Sequence, residues 1–183
     1  MNVSPDLDAR FRAAALAEGL VDVRFDLVAS PVGELFVAST PRGLCRISYT
    51  PAGQEEELAR LFGSRVLRIP LDEVRRELDE YFAGRRRSFD LALDLRVTPF
   101  NAAVLAELAR VPYGRLDTYG DLAARVGRPG AARAVGGVMN RNPNPIVLPS
   151  HRIVGANGSL TGYAGGLEIK RTLLELEGAL LDA

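Results

Sequence analysis

The sequence of 183 residues holds one cysteine, one histidine and no tryptophan. A lone Cys45 excludes an internal disulfide framework and any multi-cysteine metal site. With His151 the only histidine, no Cys/His zinc cluster can be assembled either. Lysine is nearly absent: Lys170 stands alone among 23 basic residues. No apolar run approaches the roughly 18 residues of a membrane span, and no leader-type n-region and h-region open the chain. A protein of the cytoplasm, away from membranes and without metal or cofactor, is expected. What remains, 47% hydrophobic and 25% charged, is the composition of an ordinary soluble globular protein. The length fits one large domain or two small ones.

The formal charge is zero, but the charges are unevenly placed. Residues 1–97 carry 14 Arg against 16 Asp and Glu, whereas 98–183 carry 9 Lys and Arg against 7 acidic residues. Within 110–152, seven arginines (110, 115, 125, 128, 133, 141 and 152) face only Asp117 and Asp121. That local excess suits an anionic partner, although a solvated face of an arginine-rich chain has the same composition.

The first half reads as a small α+β unit. Residues 5–19 form a helix with Ser4 as N-cap and Pro5 at its first position. From Val21 the period changes to two, and turns at 31–33 and 41–43 divide three strands of an antiparallel meander. Cys45 sits mid-strand and reads as a small buried hydrophobe. Helices over Gln54–Phe62 and Leu71–Phe82 flank a further strand near Arg65–Ile69. The Arg85-Arg86-Arg87 run reads as a solvated loop. Phe89–Leu95 alternates like a strand and leads to a boundary at Arg96–Val97. No chemistry is visible in this half.

The second half is mainly helical. Thr98-Pro99 is an N-cap followed by proline at N1, and opens a helix through Leu108. Thr118 caps a helix over Tyr119–Val126. A tight Arg128-Pro129-Gly130 connection then leads into a helix from Ala131 to about Asn140. Two short helices joined by such a turn form a helix-turn-helix pattern. The second is nearly bare: Ala131, Ala132, Ala134, Gly136 and Gly137 surround Arg133. Each internal glycine costs roughly 1 kcal/mol against alanine. The bare surface therefore serves close approach, by a neighbouring helix or by a nucleic-acid groove. The prolines of Asn142-Pro143-Asn144-Pro145 hold the chain extended. Ile146–Leu148 then delivers Pro149-Ser150-His151-Arg152. Leu160–Gly166 is a glycine-rich loop without the lysine of a phosphate-binding P-loop. A last helix runs from Leu167 to about Glu177.

Ser150 beside His151 suggests nucleophile chemistry, and a transferase or hydrolase using that pair is one reading. Adjacency in sequence rarely gives triad geometry, however. A helix-turn-helix regulator is another reading, weakened because the second helix lacks polar side chains that read base edges.

Together, Val111-Pro112-Tyr113-Gly114, Thr118-Tyr119-Gly120, Ala131–Gly137, Asn142-Pro143 with Pro145, Pro149 with His151-Arg152, and Leu160–Gly166 with Lys170 and Glu177 resemble the O6-alkylguanine-DNA alkyltransferase family. The likeness covers residues 98–178 without a gap. It implies an RNase H-like α+β N-terminal domain over 1–96 and a helical helix-turn-helix domain over 97–183. It further implies a monomer that binds double-stranded DNA containing O6-alkylguanine and hands it to downstream repair proteins. Arg133 would enter the stack from the minor groove in place of the flipped guanine. Tyr119 would push the 3′ phosphate aside, and Ala132, Gly136 and Arg152 would lie at the DNA. Asn142 would order the turn under the reactive position. His151, linked through water and oriented by Glu177, would be the base for the residue at 150. Met139, Pro145, Ile153, Tyr163 and Ala164 would line the alkylguanine pocket. The physics agrees, because chemistry on a stacked base requires flipping it, and wedge insertion requires a slim helix.

One position departs from the family. Its motif is Pro-Cys-His-Arg, and this chain has Pro149-Ser150-His151-Arg152. Dealkylation is displacement at carbon, which a soft thiolate performs readily. A serine hydroxyl has no comparable ionised fraction, and the oxyanion hole that assists serine enzymes in acyl transfer has no counterpart here. The expectation is an alkyltransferase-like protein that binds and flips O6-alkylguanine without accepting the alkyl group. The other reading is a methylated-DNA–protein-cysteine methyltransferase in Cys-to-Ser form, by natural loss or by deliberate change.

Overall fold

The computed structural model describes residues 5–180, with the side chains of Pro5 and Asp6 left aside; the proposed Ser4 cap lies outside the described residues. Helix α1 (Pro5–Ala17) precedes strands β1 (Val23–Ser30), β2 (Gly33–Thr40) and β3 (Gly43–Ser48). The meander is antiparallel, with Phe25 opposite Ala38 and Val28 opposite Leu35. Helix α2 (Gln54–Phe62), strand β4 (Val66–Arg68) and helix α3 (Asp72–Phe82) follow. Strand β4 joins β1 in parallel, giving the order β3-β2-β1-β4.

Alternation along the strands explains why the sheet carries a helix on each face. Phe25, Phe36, Ala38 and Cys45 pack with Leu58 of α2. Leu35, Val37, Leu44 and Ile47 pack with Val74, Leu78 and Tyr81 of α3. Burial pushes the Cys45 thiol up to about 12, so it is held as a thiol and serves as packing.

Phe89–Leu95 does not become a strand. It meets β3 through Leu44 alone, whose N–H donates to the Ala92 carbonyl at 2.8 Å and whose carbonyl accepts from Asp94 at 2.9 Å. The buried Asp94 carboxylate then takes the Thr40 hydroxyl at 2.8 Å and draws the chain off the sheet edge. Gly43 permits this contact, since a Cβ there would stand 2.3 Å from the Ala92 oxygen. The three-arginine run is also less free than its composition suggests. Arg86 is paired with Glu80 at 2.8 Å, and Arg87 lies 5.5 Å from the Tyr113 ring centre.

The second half contains α4 (Pro99–Leu108), a two-residue strand β5 (Asp117–Thr118), α5 (Tyr119–Arg125) and α6 (Ala132–Asn140). Thr98 accepts from the Asn101 N–H and Thr118 from the Asp121 N–H, so both caps act as expected. The three helices share a core of Val104, Leu105, Leu122, Val135, Val138 and Leu148. Strand β6 (Ile153–Val154) pairs with β5 in parallel, and α7 (Leu167–Leu176) closes the fold. Ile146 and Leu173 pack within the first half's core, and the Ile47 N–H donates to the Pro143 carbonyl at 2.8 Å. The two halves thus meet at the segment that carries Ser150.

Candidate active site

The segment that carries Ser150 is held from below by its own turn. Asn142, fully two residues past α6, accepts from the Asn144 N–H at 3.1 Å. Its amide donates to the Leu148 carbonyl at 2.8 Å and to Ser150 Oγ at 3.2 Å. Ile146 between them has φ 76°, a conformation that β-branched residues rarely adopt. Its side chain is fully buried in the first half's core, and that packing holds the strained backbone. Residues Ser150–Arg152 form one 3₁₀ turn, and all three side chains are buried.

Glu177, just past α7, gathers the next layer. His151 Nε2 lies 2.9 Å from Oε1, and Arg152 donates to both oxygens at 2.8 and 2.9 Å. The Tyr81 hydroxyl donates to Oε1 at 2.8 Å and the Gly114 N–H to Oε2 at 3.0 Å. Gly114 is required there: its φ is 69°, and a Cβ would stand 2.8 Å from the Glu177 carbonyl oxygen. Burial pushes the Glu177 carboxyl up, but hydrogen bonds from His151 and Arg152 outweigh it and hold the group well below the usual carboxylate range. Burial lowers the His151 pKa despite Glu177, so the ring is neutral. The consistent tautomer donates Nε2–H to Glu177. Nδ1, buried and without a partner, keeps a lone pair available as a base.

Ser150 and His151 are therefore not joined directly. His151 Nε2 is committed to Glu177, and Ser150 Oγ takes its hydrogen bond from Asn142. Arg152, expected at DNA, requires correction. Its guanidinium is buried, bound to Glu177 and, at 2.5 Å, to the Val111 carbonyl. A residue beside His on a 3₁₀ turn has been drawn inward by the one carboxylate that can neutralise it.

The remaining positions fall into two groups. On α6, Arg133 and Ala134 are exposed and Ala132 is half-buried, and among the described residues no side-chain hydrogen bond or ion pair involves Arg133. A Cβ on Gly136 would lie 3.8 Å from the half-buried Tyr119 ring, whose hydroxyl accepts from Thr161 at 3.3 Å. Gly137 has another use, since a Cβ there would come within 3.3 Å of the Arg141 guanidinium. In the second group Met139, Pro145 and Ile153 are buried, Tyr163 is half-buried and Ala164 exposed. A cavity of about 420 Å³ opens beside them, with Tyr49, Asn142, Pro145 and Ala164 in its wall. A cleft of similar volume lies at Thr40, Arg42 and Asp72, but none of the predicted site residues lines it.

Two contributors escape sequence reasoning, and a third, Lys170, is legible there only as part of the motif. Tyr81 on α3 reaches Glu177, and Tyr49 just past β3 meets the Tyr163 hydroxyl at 2.6 Å. Thus the first half, read as chemically silent, supplies two side chains to the site. Lys170 is fully buried on α7, and Nζ ties the Thr161 carbonyl at 2.9 Å to that of Ile153. Its isolation in an otherwise lysine-free chain was the available signal. For the tyrosines, separations of 96 and 114 residues left none.

This arrangement joins a helical module to an α+β module around one buried turn, Ser150–Arg152. Residues 23–95 match the ribonuclease-like domain of 6-O-methylguanine DNA methyltransferase, and residues 99–179 match its DNA binding domain. The chain belongs to the 6-O-methylguanine DNA methyltransferase family. It is 39% identical over 162 residues to a methylated-DNA–protein-cysteine methyltransferase of Methanosarcina barkeri, covering 84% of this chain and 96% of that one. A constitutive methylated-DNA–protein-cysteine methyltransferase of Bacillus subtilis is 41% identical over 150 residues, with coverages of 81% and 91%. Among solved structures, Mycobacterium tuberculosis OGT in complex with DNA superposes with a TM-score of 0.77 at 37% identity, over 85% of this chain and 93% of that one.

Proposed function

We propose that this chain acts on O6-alkylguanine in duplex DNA, through a methylated-DNA–protein-cysteine methyltransferase site whose acceptor position holds serine. The observation that carries this reading is the undisturbed support around Ser150. Asn142 donates to Oγ at 3.2 Å, and a neutral His151 is oriented by Glu177 with Nδ1 unpartnered. Relatives spanning both halves bear the methyltransferase's name, which favours this reading over the alkyltransferase-like protein that Ser150 by itself suggests.

In this proposal the division at Arg96–Val97 separates a supporting unit, 1–96, from the DNA unit, 97–183. Arg133 enters the stack from the minor groove, while Ala132 and Gly136 keep α6 slim and Tyr119 turns the phosphate. The flipped base enters between Met139, Pro145, Ile153, Tyr163 and Ala164. His151 Nδ1 reaches Oγ through a bridging water. For transfer, Oγ would lose its proton to His151 and form a bond to the alkyl carbon. The bond from that carbon to guanine O6 would break, and the guanine would take up a proton. A hydroxyl gives up its proton far less readily than a thiol whose pKa is about 8.5, so this step runs more slowly at Ser150 than it would at a cysteine. In a gel-shift comparison, a duplex with O6-methylguanine should bind more tightly than the same duplex with guanine. Equal affinity for both would sink the reading.

A further inference from the structure

Tyr81 joins the first half to the carboxylate that orients His151. Helix α3 buries Val74, Glu77, Leu78 and Tyr81, the spacing of one helical face. The Tyr81 ring stands against those of Phe82, Phe89 and Tyr113, with centres 5.3, 5.4 and 6.2 Å away. That cage fixes the direction of the hydroxyl, which leaves the apolar core and donates to Glu177 Oε1 at 2.8 Å. Burial and the neighbouring Glu177 charge push the Tyr81 pKa far up, so the hydroxyl keeps its proton and acts as a donor. The same oxygen takes His151 Nε2 and Arg152 Nη2, each at 2.9 Å, whereas Oε2 takes Arg152 Nε and the Gly114 N–H. Three donors therefore divide the charge of Oε1, and among them Tyr81 alone comes from the first half.

We propose that Tyr81 is a positioning residue for the base of this site: its hydroxyl takes a share of Oε1 and so limits how strongly Glu177 draws on the His151 Nε2–H. The inference rests on the reading that His151 serves the group at position 150. A carboxylate oxygen relieved of one donor binds the remaining donors more strongly. A stronger bond to Nε2–H in turn makes Nδ1 more basic. The rest of the surroundings of the ring are fixed. Burial disfavours a charge on it, Glu177 favours one, and Arg152 on its own turn and Lys170 on α7 oppose it. Tyr163, with the Tyr49 hydroxyl at 2.6 Å from its own, lies 6.5 Å from the imidazole between ring centres. The half of the chain without visible chemistry thus sets the strength of the base in the other half.

The chain has one histidine, so its imidazole NMR signals belong to His151 alone. Tyr81→Phe keeps the ring in its cage and removes only the hydroxyl. The Nε2–H proton resonance should then move downfield, and the ring should titrate about half a pH unit higher than in the unaltered chain. A resonance that stays in place, moves upfield or broadens through exchange with water overturns the proposal, broadening being what loosened packing alone would give. In the Ser150→Cys form, Tyr81→Phe should carry the acid limb of methyl transfer to higher pH by the same amount. An acid limb that stays where it was while the imidazole moves overturns the role in positioning the base. No methyl transfer by the Ser150→Cys form at any pH would instead strike the underlying reading, and the imidazole resonance would still decide whether Tyr81 acts on His151 through Glu177.

Discussion

The Glu177 carboxylate and the outer face of α6 are opposite ways of using charge. Glu177 is buried and takes hydrogen bonds from His151, Arg152, Tyr81 and Gly114. Arg133 projects from a bare helix with no ion pair among the described residues. The first arrangement has every oxygen committed before any ligand arrives, so it fixes shape. The second has its charge uncommitted, so it is free to spend on a partner. Ser150 stands next to His151 in the chain and takes its own hydrogen bond from Asn142, so it belongs to the buried side of this contrast.

The comparison breaks first at Glu177. Glu177→Ala leaves a buried guanidinium unpaired and should cost about 3–5 kcal/mol in denaturant unfolding. A loss below about 1 kcal/mol, the scale of an exposed pair, would mean that the network is not what fixes the site. Arg133→Ala should do the reverse. Stability should stay within about 0.5 kcal/mol. Affinity for an O6-methylguanine duplex should fall roughly tenfold, about 1.4 kcal/mol, with a smaller fall for the single strand, which needs no plug. Equal losses on both would remove the plug from the account.

A smaller effect sharpens the same contrast through pH. Burial lowers the folded pKa of His151 below its unfolded value of about 6.5, so the unfolded chain takes up protons first as pH falls. Stability should be fully present above that value and decline toward pH 5. Glu177, depressed in the fold, should add to the loss below about pH 4.5. Lys170, pushed down to about 8 by burial, gives a gain as pH rises from about 8 to 10.4. Denaturant midpoints that stay flat between pH 7.5 and 5 would contradict the neutral, buried His151.

Local signals carried much of this into the sequence. The caps at Thr98 and Thr118 and the alternating strands act over a few residues, and they are legible for that reason. Phe89–Leu95 failed because alternation alone cannot reveal a carboxylate such as Asp94 that finds Thr40 and leaves the sheet. Arg152 failed because its position beside His151 says nothing of the carboxylate waiting at 177. Tyr49 and Tyr81 were invisible because their partners exist only once the halves pack. Gly137 was half right: the helix is bare there, and the space receives Arg141.

The account stands or falls on whether one atom separates this site from alkyl transfer. The direct measurement is the intact mass of the Ser150→Cys protein, beside the unaltered chain, after exposure to an O6-methylguanine duplex. The account predicts that the cysteine form gains the mass of one methyl group while the serine form stays unchanged over the same interval. A folded, lesion-binding cysteine form that gains nothing would contradict it.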